Sequence, residues 1–530
     1  MNYLIHSLWR HAHVWPDKDI FVHLDRHALP FRKLTFKELY RLVCVISKHL
    51  SGVTQANDRV LLLYDNAFDF IPVFLACLQR GCIPAAIQIP NSQSKINRIR
   101  HLLEHEKVSA IILPDTLQEK GWFRQLMSGA IDLNDKLLAV PSVWGSIAFM
   151  EYPEPEPIIG ERIIYGQLSS GTTGPSKWIN ITSDNVRANT DAIGMSIRQR
   201  PESRHLCWLP HYHDLGLVAG LFQSICQGTT TWLIDPLDFV GRPQVWPEAM
   251  SKYAIHFSHA PNFALDLCVR RIQAGQVAPD TDLSSVTSIM VCAEPIRQSS
   301  LERFHDHFRP FGLGPTPFVT CFGMAECTLA ATMQPQCTSY RIVHHPELDR
   351  SFVSCGIPID GIEVKIQSVE GQPEGVGEVI LAGPSVSPDH VANGLHTGDL
   401  GFIHEGELYI SGRIKEIIIL NGIKHRLHEI EDIVETLPFV HDRGTIAAAS
   451  QEDDIENLVL FVELRRDALR IDLRAEQMSR ITRALNKEFG ITPGEIRFFP
   501  PASLPKTSSG KKSRMPFSFL KSETSVKELI

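Results

Sequence analysis

The 530-residue sequence predicts an α/β fold in two domains. The larger has mainly parallel sheets plus a β-rich part, and a smaller α/β domain follows it. Three observations carry this. The chain is too long for one ordinary domain; short apolar runs alternate with helical stretches; and from about Pro358 the pattern changes to short alternating strands joined by Gly-rich turns.

The elements follow in order. "DRVLLLYD" (58–65) is a buried strand, "AFDFIPVFLACLQRG" an apolar-faced helix stopped by Gly81, and "SAIILP" a further strand. "TTTWLID", "VTSIMVC" and "PTPFVTCFG" are later strands, separated by helices such as "SLERFHDHFRPFG". "IEVKIQ", "GEVILAG" and "GELYISGR" make the β-rich part, and "LRAEQMSRITRALNKEFG" is a charged helix of the C-terminal segment. The expected boundary separates residues 1–412 from 413–530. Parallel sheets collect ligands at the loops leaving their strand ends.

Composition narrows the function. With 43% hydrophobic and 21% charged residues the chain can bury a large core, and a net charge of −8 argues against a nucleic-acid partner. Eleven cysteines form no CxxC pair, which fits small apolar thiols better than zinc ribbons or disulfides. "MNYLIHSLWRHAHVWPDKD" lacks the long apolar core and cleavage site of a secretory signal. The longest apolar run, "IPVFLACL", is too short to span a bilayer. A cytoplasmic setting without integral membrane contact is expected.

The densest polar stretch is "YGQLSSGTTGPSK" (165–177). It is not a Walker A loop, because Ser176 stands where the second glycine belongs and Trp178 follows Lys177. Its ingredients still suit a polyphosphate: glycines expose backbone N–H groups, hydroxyls donate and lysine brings charge. By composition alone such a turn is more often solvated loop. The histidines His205, His211 and His213 with Asp214 raise a metal site as an alternative, but no further ligand cluster completes a tetrahedral set.

The order SSGTTGxxK resembles the signature loop of the adenylate-forming superfamily. "WLPHYHDLGL" (208–217), "APNFALDLCVRR" (260–271), "CAEP" (292–295), "FGMAE" (322–326), "HTGDLG" (396–401), "GRIKEIIILNG" (412–422) and "PKTSSGKKSR" (505–514) follow in the superfamily's order. Within it, "PHYHDLGL", "APNFALDLC" and the alanine of "FGMAE" are most similar to fatty acyl-AMP ligases.

The resemblance implies a large adenylation domain, a small mobile C-terminal domain, and a set of roles. Ser169, Ser170, Gly171, Thr172, Thr173, Gly174 and Lys177 would hold ATP phosphates. Ala293, Glu294, Pro295, Phe322, Gly323, Met324 and Ala325 would line the AMP site, with Phe322 stacking on adenine. Glu326 would bind Mg2+, in keeping with a hard cation's preference for oxygen donors. Asp399 would accept from the ribose hydroxyls, with Arg413 pairing to it or reaching the same ribose. Lys511 would be the catalytic lysine, with Lys512 as the alternative in a different register. His213, Asn262 and Phe263 would line the acyl pocket, and Lys415 would mark the hinge. A core aromatic, an exposed turn aspartate and a solvated lysine tail are the plain readings of Phe322, Asp399 and Lys511 taken singly.

The implied reaction joins a fatty acid to AMP using ATP and Mg2+. The acyl group then passes to the phosphopantetheine thiol of a separate acyl carrier protein, since no carrier-type serine occurs in the chain. CoA is the alternative acceptor, because the segment between Glu326 and Cys355 is shorter than the insertion the acyl-AMP ligase branch carries there. A nucleotide-binding regulator that has lost the chemistry is a second alternative. Trp178 and Cys292 depart from the superfamily pattern, each placing bulk where a glycine is usual.

Overall fold

The computed structural model describes residues 2–128, 131–141, 154–155, 163–168, 177–273, 275, 277–420, 423–452, 455–470, 473–504 and 512. Two compact units result. The larger is built from the described residues of Met1–Ser169, Ser176–Thr397 and Gly401–Ile410, and the smaller from those of Gly398–Leu400 and Ser411–Ile530.

The larger unit contains a nine-stranded sheet. Its centre is six parallel strands in the order Phe318–Gly323, Ser288–Val291, Phe257–Ala260, Arg204–Cys207, Thr230–Ile234 and Asp19–Leu24. Antiparallel strands close both edges: Ala330–Met333 and Ile357–Pro358 on one side, Pro30–Thr35 on the other. A second sheet is wholly parallel, in the order Ile83–Ile87, Arg59–Leu63, Val108–Pro114, Leu137–Val140.

Strand Arg59–Leu63 reads as an unbroken apolar run because both of its faces are covered. Val60 and Leu62 enter the main core, while Leu61 and Leu63 enter a second one. The helix Ala67–Arg80 is fixed at both ends. The Asn66 side chain accepts from the Asp69 N–H, and Gly81 ends the helix at φ +76°. Phe70 and Phe74 are fully buried in the same core.

The β-rich part is a four-stranded sheet, Glu363–Ser368, Gly377–Ala382, Leu395–His404 and Glu407–Arg413. A separate antiparallel hairpin, Ile342–His345 with Arg350–Val353, lies in the segment between Glu326 and Cys355. It is anchored by Phe352 and His345 against Phe402, with ring centroids 5.5 and 4.9 Å apart.

The smaller unit packs helices Leu427–Glu435 and Arg474–Phe489 with a sheet of Val440–Glu452, Ile455–Leu464 and Glu495–Phe499. Gly490 stops the second helix at φ +66°. Among the described residues no helix is long and apolar enough to cross a membrane. All eleven cysteines are free, and only Cys337 is exposed.

Candidate active site

Four neighbouring parallel strands of the large sheet end in four of the sequence motifs. Arg204–Cys207 leads into "WLPHYHD", Phe257–Ala260 into "PNF", Ser288–Val291 into "CAEP" and Phe318–Gly323 into "MAE". Segments distant in sequence are thereby brought to one carboxyl edge, where a parallel sheet leaves a crevice.

Polar side chains fix these loops. The Glu294 carboxylate accepts from the Phe263 N–H at 2.5 Å, tying "AEP" to the start of helix Asn262–Arg271. Asn262 accepts from the Arg297 N–H and donates to Ser300 Oγ, both at 3.0 Å. Its amide is thus spent bracing the following helix, and it is 3% exposed. Ala293 sits at φ +73°, in the left-handed region a side chain rarely adopts, directly ahead of Glu294.

The "FGMAE" turn is held from below. Asn189, fully buried on helix Ser183–Ser196, donates to the carbonyls of Cys327 and Ala330 and accepts from the Ala330 N–H. Thr328 donates to the Ser385 carbonyl at 2.8 Å, and the Ser387 N–H donates to the Glu326 carbonyl at 2.8 Å. Asn185, from the same helix, donates to the Pro384 and Val386 carbonyls. At Gly323 a Cβ would lie 1.7 Å from the Leu329 carbonyl oxygen, so only glycine fits. Phe322, Met324, Ala325 and Glu326 are half-buried at this edge. Asn185 and Asn189 are the positions that sequence reasoning missed. Inside an ordinary helix nothing marks an asparagine as a clamp.

The "PHYHD" histidines have different surroundings. His211 is buried and stacked on Phe70 at 4.4 Å, and burial pushes its pKa down to about 3. His205, wholly buried, lies 2.8 Å from Gln199 Nε2 and is likewise held well below the usual histidine range by burial. His213 is half-buried, its backbone carbonyl accepting from the Leu217 N–H. Phe263 is half-buried, its ring edge-on to Trp208 at 6.2 Å. Among the described residues no group of three His, Cys, Asp or Glu side chains could hold a metal.

The Ser/Thr/Gly loop joins the antiparallel strands Ile163–Leu168 and Trp178–Thr182, leaving at Leu168 and returning opposite it at Trp178. Ser169, Ser170, Gly171, Thr172, Thr173 and Gly174 lie outside the described residues, and Lys177 is exposed at the loop's return. Trp178 is buried over Gly166, where a Cβ would lie 2.1 Å from the indole ring. The Arg59 guanidinium lies over the Trp178 ring, 4.9 Å from its centroid, and is ion-paired to Glu106 at 2.7 Å. Cys292, the other departure, is buried with its thiol against Cys321.

In the smaller unit Arg413 Nε donates to Asp399 Oδ1 at 2.7 Å, so the arginine takes the pairing open to it. Asp399 is 4% exposed. Lys512 Nζ donates to Glu431 Oε2 at 2.8 Å and to Glu435 Oε1 at 2.7 Å. Its ammonium is committed to two carboxylates, that of Glu431 buried and that of Glu435 half-buried. Lys511 lies outside the described residues, as does the side chain of Lys415.

Residues 8–389 match the family model described as AMP-binding enzyme. The chain belongs to the AMP-binding enzyme family. It is 28% identical to a medium-chain-fatty-acid–[acyl-carrier-protein] ligase, JamA, of Moorena producens, over 96% of this chain and 93% of the relative. A structure from work on the fatty acyl-adenylate ligases of E. coli and L. pneumophila superposes with a TM-score of 0.83 at 28% identity, covering 97% of this chain and 96% of the other. The L. pneumophila fatty acyl-adenylate ligase in complex with acyl adenylate and pyrophosphate gives a TM-score of 0.71 at 26% identity, covering 95% and 94%. The four strand-end motifs of this AMP-binding enzyme fall within the matched residues 8–389.

Proposed function

We propose that the chain activates a fatty acid with ATP and passes the acyl group to the phosphopantetheine thiol of a separate acyl carrier protein. The observation that carries this is the convergence of "PHYHD", "PNF", "CAEP" and "FGMAE" on one sheet edge in an AMP-binding enzyme. Near-full-length similarity to proteins named as fatty-acid ligases supports the substrate class.

In the first step a carboxylate oxygen attacks the α-phosphorus of ATP, the bond to the β-phosphate breaks, and pyrophosphate leaves with its electron pair. Both reactants are anions, so positioning and cationic stabilisation carry most of the barrier reduction. Lys177 and the loop 169–174 hold the departing phosphates. Lys511 bonds the acyl carboxylate and the α-phosphate. Phe322 stacks on adenine within the "AEP" and "GMA" loops. Asp399, oriented by Arg413, accepts from the ribose hydroxyls.

Glu326 is half-buried at the sheet edge and offers the oxygen donor a hard cation takes. Mg2+ held there would neutralise phosphate charge. His213 and Phe263 flank the acyl chain, while Asn262 keeps the wall behind them in place. In the second step a thiolate attacks the acyl carbonyl carbon, and AMP leaves as the acyl–oxygen bond breaks. Lys415 is the hinge between the two steps.

A carrier protein is favoured over CoA because the segment between Glu326 and Cys355 keeps a hairpin packed on Phe402. The deciding experiment is mass spectrometry after incubation with Mg-ATP, C6 to C16 fatty acids and CoA. Acyl-AMP without acyl-CoA is expected, and abundant acyl-CoA would replace the carrier-protein reading with a CoA ligase. Absence of both products would overturn the fatty-acid assignment.

A further inference from the structure

The strand Trp178–Thr182 begins directly after Lys177 and pairs on one side with Ile163–Leu168. Its other side is met by the turn 387–389. The Asn180 N–H donates to Asp389 Oδ2 at 3.2 Å, and the Asn180 carbonyl accepts from Ser387 Oγ at 2.8 Å. Both backbone groups of one residue are thus bonded outside its own hairpin. The side chain repeats the contact, Nδ2 donating to Asp389 Oδ1 and Oδ2 at 3.0 and 3.2 Å. A carboxylate acceptor makes all three of these N–H bonds charge-assisted.

The other end of the amide is fixed as well. Arg59 Nη2 donates to Asn180 Oδ1 at 3.3 Å, while Arg59 Nη1 donates to Glu106 Oε2 at 2.7 Å. With its oxygen given to a guanidinium, the amide turns its nitrogen to Asp389. The same guanidinium lies over Trp178, two residues earlier on the strand.

The turn that receives Asn180 also supports Glu326. Ser387 is wholly buried, and its N–H donates to the Glu326 carbonyl at 2.8 Å while its hydroxyl holds the Asn180 carbonyl. One serine therefore joins the backbone of the Lys177 strand to the backbone of the Glu326 turn. Asp389 is exposed, and the strand keeps its pairing with Ile163–Leu168 without it. Its three bonds to Asn180 add little to a core and much to the register of two segments.

On the roles given above to Lys177 and Glu326, we propose that Asn180 and Asp389 are positioning residues. They hold the Lys177 strand in register with the Glu326 turn and so set the affinity for a nucleoside triphosphate with its divalent cation. The probe is α,β-methylene-ATP, which cannot release pyrophosphate, titrated by calorimetry into the full-length protein with Mg2+. AMP, which lacks the β- and γ-phosphates, is the reference ligand. Asp389→Ala and Asn180→Ala should each weaken the Mg2+ complex about tenfold, the low end of the cost of losing an outer-shell partner of a metal site. AMP affinity should be unchanged. The double variant should lose close to the same tenfold, where independent effects would give roughly a hundredfold. Unchanged affinity for the analogue, additive losses, or an equal loss for AMP would overturn the proposal. Unsubstituted protein that binds neither ligand would instead overturn nucleotide activation itself, and this inference with it.

Discussion

The strand-end loops of the larger unit and Lys512 of the smaller one are positioned by different physics. "CAEP" and "FGMAE" leave adjacent parallel strands, and uncharged amides and carbonyls brace the second of them from beneath, with Asn189 at the centre. Lys512 is held instead through its ammonium, between Glu431 and Glu435. Glu431 and Glu435 are carboxylates four residues apart on the same helix, so each would repel the other without that lysine. A scaffold of packed strands and neutral hydrogen bonds has little response to pH, whereas two carboxylates held by one ammonium have a strong one.

Four substitutions test this contrast, from the largest effect down. Lys511→Ala should lower adenylate formation by roughly 10²–10³-fold, the usual cost of one preorganised donor at the reacting centre. ATP–pyrophosphate exchange measures it, and an unchanged rate would leave the lysine segment without a catalytic role.

Lys512→Met should destabilise the smaller unit by roughly 3 kcal/mol at neutral pH, because the buried Glu431 and the half-buried Glu435 carboxylates lose their shared partner. The pH dependence fixes the cause. Burial already raises the Glu435 pKa, and Lys512 counteracts it. A group whose folded pKa is raised contributes its full stability below the unfolded pKa and loses it as pH rises through the folded one. The deficit of Lys512→Met should therefore be small near pH 4 and grow towards pH 7 in urea melts. A deficit equal at both pH values would mean that packing, not charge, is what Lys512 contributes.

Asn189→Ala should cost about 1–3 kcal/mol by stranding two buried carbonyls and one N–H. In contrast to Lys512→Met, its thermal shift should be the same at pH 5 and pH 7.

The smallest effect belongs to His211→Phe. Burial lowers the His211 pKa to about 3, and those of His11 and His259 to about 4. Below pH 6.5 the unfolded chain takes up protons that the native histidines refuse, so stability falls with pH from there towards 4. Replacing one of these histidines with an apolar ring should flatten the fall slightly, and an unaltered slope would mean His211 is charged in the folded protein.

Much of this arrangement is legible in the sequence, for reasons that differ by element. Helix Ala67–Arg80 announces itself through Asn66, Gly81 and an apolar face, and strand Arg59–Leu63 through a run buried on both sides. Strand Phe257–Ala260 does not, because four residues including Ser258 and His259 carry too little pattern. The motif residues are visible as types and spacings. Asn185 and Asn189 are not, since their partners are carbonyls more than a hundred residues away along the chain.

The sequence by itself determined the alternation of strands and helices and the chemical kinds of residue at each motif. These are local properties, set by hydrophobic period, turn residues and charge. The tertiary structure alone decided that four motif strands are neighbours, that Asn262 braces a helix, that Trp178 fills the space over Gly166, and that Lys512 is tied to two carboxylates. Those outcomes depend on which strand pairs with which and on what a side chain meets across the core. A linear sequence states no such pairing, because long-range contacts follow from the free energy of the whole packed chain.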